Sequence, residues 1–96
     1  MELEWDPNKA DSNKQKHKID FETAVKVFDD SFRLEVDERN DDDVIRFNVT
    51  GMVEGRLLAV TYTVRGDIYR IISARLADRH ERRAYHEIYA RPGQTA

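Results

Sequence analysis

Four strand-like segments in the middle of the chain follow one another closely. They span residues 32–38, 43–49, 56–65 and 67–75. The first three alternate apolar and polar residues, and the fourth is apolar on both faces around Ile71 and Ile72, which are predicted to be core. Successive side chains of a strand point to opposite faces of its sheet, so an alternating segment can bury one face and expose the other. The connections at 40–42, 54–55 and 66–67 are turn-like and too short for a crossover helix. The sequence therefore predicts a four-stranded antiparallel meander with one covered and one open face.

Two helices are predicted before the meander. A short extended segment, Leu3 to Trp5, leads into Asp6-Pro7, a typical helix start with Asp as N-cap and Pro in the first turn. The first helix is very polar and continues to about His17. Asp20 is a second N-cap, and the apolar residues after it recur at the spacing of one helix face. These residues are Phe21, Ala24, Val25 and Phe28.

One more helix is predicted after the meander, from about Asp78 to Tyr89. Asp78 and Glu81 have capping-box spacing, and the segment 91–93 ends the helix. One face of this helix carries the side chains of Arg79, Arg82, Arg83 and His86. A neighbouring face carries Tyr85, Ile88 and Tyr89 and can pack on the sheet.

The fold class that follows is α+β. Two N-terminal helices pack on one face of the four-stranded meander, and a C-terminal helix completes a single domain over residues 1–91. Residues 92–96 are predicted to be a disordered tail.

Charge is unevenly distributed along a chain whose formal net charge is -3. Residues 20–54 carry four basic and eleven acidic side chains, whereas residues 56–96 carry eight arginines and four acids. Every cation after position 26 is arginine, whose planar guanidinium matches phosphate and carboxylate groups. The arginines near the last strand and helix are either a solvated face paired with acids such as Glu87 or a site for an anion.

Several classes of function find no support in the residues. The chain has no cysteine, and the histidines His17, His80 and His86 show no spacing typical of metal ligands. The acidic cluster at 39–43 lacks the spacing and the glycine of a calcium loop. No glycine-rich phosphate loop or dinucleotide fingerprint is present, so neither a metal nor a cofactor is expected. No apolar run is long enough to span a membrane, and the N-terminus does not resemble a signal peptide.

Two longer motifs resemble those of the BrnT-type toxins. The stretch EWDPNKADSNKQKHKIDFETA matches the N-terminal pattern of that family at Trp5, Asp6, Lys9, Asn13, Lys16, His17, Ile19, Phe21 and Ala24. The stretch RIISARLADRHERRAY matches its C-terminal pattern at Arg70, Ile71, Ile72, Ser73, Ala74, Arg75, Ala77, Glu81, Arg82 and Tyr85. The resemblance covers about residues 3–89, and His80 stands where the family pattern has Arg or Lys.

This resemblance implies a RelE-like fold and a ribonuclease toxin of a type II toxin–antitoxin system that stops translation in the bacterial cytoplasm. It also implies a BrnA-like antitoxin with a ribbon-helix-helix part. Toxin and antitoxin would form a heterotetramer that binds operator DNA through the antitoxin and represses its own operon.

The implied chemistry assigns roles to residues that match the motifs or lie beside them. RNA can be cleaved without a metal when a base activates the 2′-OH, cations stabilise the phosphorane, and an acid protonates the leaving oxygen. The expected catalytic residues are His17, Arg75, Arg79, Glu81, Arg82 and Tyr85. His17 or Glu81 is the expected base, and Tyr85 or His80 the expected acid or base-stacking group. The expected RNA-binding residues are Lys9, Lys16, Arg70, Arg83 and His80.

A non-catalytic interpretation remains open from the sequence. A basic groove that binds RNA and one that only binds an acidic antitoxin segment have the same composition, so the chain is alternatively an interaction module or an inactive toxin relic. His17 is alternatively a structural residue that seats the first helix on Ile19 and Phe21. A DNA-binding regulator is less well supported, because the net charge is negative and the last helix lacks a helix-turn-helix partner.

Overall fold

The computed structural model describes residues 1–39 and 45–90, with no side-chain description for Arg39, Tyr89 and Ala90. The strands are β1 (Glu2–Trp5), β2 (Leu34–Arg39), β3 (Ile45–Val53), β4 (Arg56–Arg65) and β5 (Ile68–Leu76). The helices are α1 (Pro7–His17), α2 (Phe21–Ala24), a 3₁₀ helix (Val25–Asp29) and α3 (Arg79–Ala90). The predicted α+β class is confirmed. The turn predicted at 40–42 and the tail predicted at 92–96 lie outside the described residues.

The predicted meander is present, but the sheet is larger than predicted and is mixed. Its order is β1-β5-β4-β3-β2, and β2 to β5 pair antiparallel with their sequence neighbours. The segment predicted as merely extended is a fifth strand, because Glu2–Trp5 pairs in parallel with Ile68–Ile71. The prediction of a purely antiparallel, four-stranded sheet is therefore wrong. A four-residue strand that pairs with a distant part of the chain leaves no periodic signal in the sequence.

The helices begin where their capping residues predict. The Asp6 carboxylate accepts a hydrogen bond from Asn8 N at 2.8 Å, and the Asp20 carboxylate accepts one from Thr23 N at 2.7 Å. Lys18 ends α1 in the left-handed conformation with φ 60°. The second helix differs from its prediction, because only Phe21–Ala24 is α-helical and the chain tightens into a 3₁₀ helix from Val25.

The main core lies between these N-terminal segments and one face of the sheet. From the N-terminal segments it takes Ile19, Phe21, Ala24 and Val27, and from the sheet Val49, Val53, Leu58, Val60, Tyr62, Ile71 and Ala74. Gly51 in β3 permits this close packing. A Cβ atom at Gly51 would lie 2.5 Å from Val27 Cγ2 and 3.2 Å from Val27 O. A side chain at this position would therefore push the 3₁₀ helix off the sheet.

The opposite face of the sheet is only partly open. Leu57, Ala77 and Tyr85 form a second buried cluster, against which Leu34 of β2 packs. Tyr85 on α3 is 1% exposed. The prediction of one fully open face is therefore wrong at the α3 end of the sheet. The rest of this face, which carries Arg46, Asn48, Thr61 and Ser73 opposite the main core, is called the open face below.

A buried amide fixes α1 to the edge of β5. Asn13 Nδ2 donates to Ile19 O at 3.0 Å and to Ala74 O at 2.9 Å, and Asn13 Oδ1 accepts from Ala74 N at 3.0 Å. Because β1 ends at the partner of Ile71, the Ala74 backbone lies beyond the end of β1. The Asn13 side chain thus supplies the hydrogen bonds that a neighbouring strand would make, and it is 6% exposed.

We predict that Asn13→Ala lowers the free energy of unfolding by about 1–3 kcal/mol, because three buried backbone groups lose their partner. Urea unfolding followed by circular dichroism measures the change. Gln15→Ala, at an exposed position of the same helix, is the matched control and should change stability by less than about 0.5 kcal/mol. Equal unfolding midpoints for the two variants would contradict the anchoring role of Asn13.

Candidate functional site

A groove crosses the open face beside α1. It has a volume of about 590 Å³ and is lined by Lys9, Ile45, Arg46, Phe47, Thr63, Val64, Arg65, Arg70 and Ile72. A smaller cavity of about 230 Å³ shares Lys9 and Ile72 with it and is also lined by Ser12, Asn13, Lys16, His17 and Ser73. The shared residues make the two cavities one continuous surface, which is called the basic groove below.

A β-bulge shapes the floor of the basic groove. Thr61 pairs with Ser73 and Tyr62 with Ile71, so Ile72 is an extra residue without a partner on β4. Ile71 is 1% exposed in the core, whereas the half-buried Ile72 lines the groove. The interpretation of both isoleucines as core residues is therefore wrong for Ile72. The bulge gives the groove an apolar floor between cationic walls.

The structure brings together four of the side chains predicted from the sequence. Lys9, Lys16 and His17 reach the basic groove from α1, and Arg70 reaches it from β5. Arg70 is also 3.3 Å from Glu4, in a pair whose side chains are 38% and 43% exposed. Such an exposed pair is weak and leaves the guanidinium able to exchange partners.

Two further cations of the basic groove were not among the predicted site residues. Arg46 on β3 and Arg65 on β4 line it and are exposed. The only signal for Arg46 in the sequence is its outward position in an alternating segment. Their approach to Lys9 depends on strand register and on the position of α1, neither of which follows from residue spacing.

Arg75 lies on the open face two residues beyond Ser73 on β5. Its Nη1 and Nη2 atoms donate to the two carboxylate oxygens of Glu81 at 2.7 and 3.0 Å. Nη1 also donates to Leu76 O at 3.2 Å. This bidentate pair joins the end of β5 to the first turn of α3.

Glu81 is the most heavily bonded carboxylate among the described residues. Besides Arg75 it accepts from Asn48 Nδ2 at 2.7 Å and from Asp78 N at 2.8 Å, and Asp78 accepts from Glu81 N at 2.9 Å. The predicted capping box is thus confirmed. Burial opposes ionisation of Glu81, but the hydrogen bonds from Arg75, Asp78 N and Asn48 outweigh it and lower its pKa to about 2. A carboxylate with so low a pKa is a weak base, which argues against Glu81 as the proton acceptor.

Tyr85 is a packing residue of α3. Its ring is buried, and its hydroxyl donates to Asp30 Oδ2 at 2.6 Å. Burial alone would raise the pKa of Asp30, but hydrogen bonds from Met52 N, Tyr85 and Phe32 N outweigh it and lower this pKa. Tyr85 therefore seats α3 on the 3₁₀ helix and β3. Its buried position does not fit the expected role of acid or base-stacking group.

Two arginines of α3 lie on a different side of the helix from the carboxylate that binds Arg75. Arg79 and Arg83 lie two residues before and two after Glu81, which places them on the opposite side of the helix from the Arg75 partner. His80, Arg82 and His86 are also exposed. Helix geometry thus directs Arg79 and Arg83 away from the Arg75–Glu81 pair. The helix instead presents a separate cationic surface, called the α3 surface below, formed by Arg79, Arg82, Arg83 and His86.

The sequence comparison assigns this arrangement to a family. A family model described as ribonuclease toxin, BrnT, of type II toxin-antitoxin system matches residues 5–81. The chain belongs to the BrnT family. The resemblance of the two end motifs to that family is thereby confirmed. No curated protein matches the chain significantly.

The matched region of this BrnT-family chain contains the residues of the basic groove and the Arg75–Glu81 pair. It begins with Trp5 at the end of β1 and ends with Glu81 in the first turn of α3. Family membership makes the chain a ribonuclease toxin of a type II toxin–antitoxin system, and it implies an antitoxin as partner. Within residues 1–39 and 45–90, no three His, Asp or Glu side chains form a cluster that could hold a metal ion. No helix in the described part of the chain is long and apolar enough to cross a membrane.

We predict that the stabilisation by Glu81 depends on pH in acid. Its pKa is about 2 in the folded protein against an ordinary value of 4.5, so its contribution is complete above about pH 4.5 and is lost as pH falls through 2. At neutral pH, Glu81→Gln should lower the free energy of unfolding by about 1–2 kcal/mol. Urea unfolding at a series of pH values should show this difference in unfolding free energy from the wild type shrinking steadily below pH 4.5.

The matched control for this pH dependence is Glu87→Gln, at an exposed position of the same helix. Its difference from the wild type should be small at every pH, because an exposed surface charge contributes little. A Glu81→Gln difference that is the same at pH 2 and pH 7 would contradict the ionised, hydrogen-bonded state of Glu81.

Proposed function

We propose that the chain cleaves RNA in the basic groove. The observation that carries the proposal is the convergence of cations from four elements on one continuous cavity. These cations are Lys9 and Lys16 of α1, Arg46 of β3, Arg65 of β4 and Arg70 of β5. A row of cations over an apolar floor fits a single strand of nucleic acid, whose phosphates need positive charge and whose bases need an apolar surface.

His17 is the proposed general base. It is half-buried at the end of α1 and lines the groove with Lys16 and Ser73. In this mechanism it takes the proton of a ribose 2′-OH, and the 2′-oxygen attacks the adjacent phosphorus. The bond between phosphorus and the 5′-oxygen breaks, and that oxygen takes a proton from water in the open groove. The products are a 2′,3′-cyclic phosphate and a 5′-hydroxyl.

Arg75 is the proposed group that stabilises the phosphorane. Glu81 and Leu76 O occupy donors of Nη1 and Nη2, so the Nε–H and the second Nη2–H remain. These two donors lie on one edge of the guanidinium and match two oxygens of a phosphate. The Arg75 side chain is 39% exposed, which leaves this edge accessible. Neither step requires a metal ion, so the proposed cleavage is metal-independent.

The α3 surface is proposed as a contact for the antitoxin. Its four side chains are exposed on α3, and its arginines suit an acidic segment of a partner. The proposed partner is a BrnA-like ribbon-helix-helix antitoxin, in a heterotetramer that binds operator DNA and represses its operon. Released from it, the toxin would cleave RNA in the bacterial cytoplasm and thereby inhibit translation.

We predict that His17→Ala and Arg75→Ala each slow RNA cleavage by about 100-fold, since each removes a base or a charge stabiliser from the transition state. The purified proteins are incubated with a single-stranded RNA, and product formation is followed with time. Both variants should also relieve the growth arrest that follows induction of the wild type in a bacterial host.

The matched control for these variants is Arg56→Ala. Arg56 is exposed on β4, on the same face as Leu58 and therefore opposite the basic groove. This variant should cleave RNA at the wild-type rate. Wild-type cleavage by His17→Ala and Arg75→Ala, with circular dichroism showing both folded, would contradict the proposed mechanism.

A further inference from the structure

We infer that Glu81 and Asn48 are positioning residues that hold the Arg75 guanidinium with its free edge toward the RNA phosphate. The inference rests on the proposed function and assigns a role to two residues that do not themselves touch RNA. Asn48 was not among the residues predicted from the sequence. Glu81 was predicted as a base, and positioning is a different role.

The contacts form a chain from β3 through α3 to β5. Asn48 Nδ2 donates to Glu81 Oε2 at 2.7 Å, and the same oxygen accepts from Arg75 Nη2 at 3.0 Å. Glu81 Oε1 accepts from Arg75 Nη1 at 2.7 Å and from Asp78 N at 2.8 Å. Each carboxylate oxygen thus has one partner in Arg75 and a second partner elsewhere. The carboxylate cannot rotate without breaking several hydrogen bonds, so it fixes the plane of the guanidinium.

Asn48 is a costly choice for stability alone. Its Oδ1 atom is buried, and no described residue donates a hydrogen bond to it. A buried carbonyl oxygen without a partner destabilises a protein, whereas an apolar side chain at this position would have no such atom. The hydrogen bond from Asn48 Nδ2 to Glu81 is therefore the contact that explains an asparagine at this position. This supports a role for Asn48 in orienting the carboxylate.

The backbone that carries Arg75 is fixed as well. Asn13 accepts from Ala74 N and donates to Ala74 O, at 3.0 and 2.9 Å. Residue Ala74, directly before Arg75, is therefore held by α1, while the guanidinium of Arg75 is held by α3. Because the backbone and the guanidinium of Arg75 are both held, the free edge of the guanidinium keeps a single orientation. A phosphate then meets hydrogen-bond donors that are already oriented. Donors that need no reorganisation contribute most to stabilising a transition state.

A positioning role predicts a different kinetic effect from a binding role. Glu81→Gln keeps the shape of the side chain but loses the charge that holds the guanidinium. The single-turnover cleavage rate should fall by about tenfold or more, while the Kd for a 2′-deoxy RNA analogue changes less than about threefold. Asn48→Ala should shift the same two quantities in the same direction with a smaller loss of rate.

Chemical rescue tests the positioning role directly. In Arg75→Ala the Glu81 carboxylate remains as a site for free guanidinium, so millimolar guanidinium chloride should raise the cleavage rate about tenfold. In the double variant Arg75→Ala/Glu81→Gln the carboxylate is gone, and the same salt should give no rescue. Tetramethylammonium chloride at equal concentration controls for ionic strength, since it has no N–H donor.

The outcomes separate this inference from the proposed function. Equal rescue of the single and the double variant would overturn the positioning role of Glu81 and leave Arg75 as a catalytic residue. A wild-type rate in Arg75→Ala would overturn both assignments.

A second measurement does not depend on activity. The Arg75 side-chain nitrogens of wild-type protein should give resolved Nη signals in ¹⁵N NMR, and these should merge in Glu81→Gln as the guanidinium rotates freely. Unchanged signals in that variant would overturn the positioning role.

Discussion

The site depends on one buried amide, that of Asn13. By bonding to both backbone groups of Ala74 and to Ile19 O, it places α1 beside the part of β5 that β1 does not cover. The helix carries Lys9, Lys16 and His17, so these side chains reach the open face because α1 is held in this position. The basic groove is therefore a consequence of a hydrogen-bonded helix position, and no single strand or helix contains it.

Two carboxylates with lowered pKa values hold α3 in place on the sheet. Glu81 joins β5 to α3, and Asp30 joins the 3₁₀ helix and β3 to α3 through Met52 N and Tyr85. Both are ionised at neutral pH because hydrogen bonds outweigh the effect of burial. They seat α3 on the sheet. The helix thereby keeps its exposed arginines away from the groove, which separates the proposed RNA-binding surface from the proposed antitoxin-binding surface.

The sequence was sufficient for features that depend on local spacing. Alternation predicted the residues of β4, and side-chain oxygens predicted the caps of α1 and α2 and the capping box of α3. Features that depend on pairing across the chain were missed. These are the parallel strand β1, the bulge at Ile72 and the approach of Arg46 and Arg65 to Lys9. Helical spacing grouped Arg79 with Arg82, Arg83 and His86, but it did not show that Glu81, on the other side of the helix from Arg79, binds Arg75.

We propose that RNA binds in the basic groove and not on the α3 surface. Chemical-shift mapping with a single-stranded RNA that carries 2′-deoxyribose, and so cannot be cleaved, distinguishes the two surfaces. Binding in the basic groove should place the largest changes of backbone amide shift on Lys9, Arg46, Arg70, Ile72 and Ser73. Changes confined to Arg79, Arg82, Arg83 and His86 would contradict it.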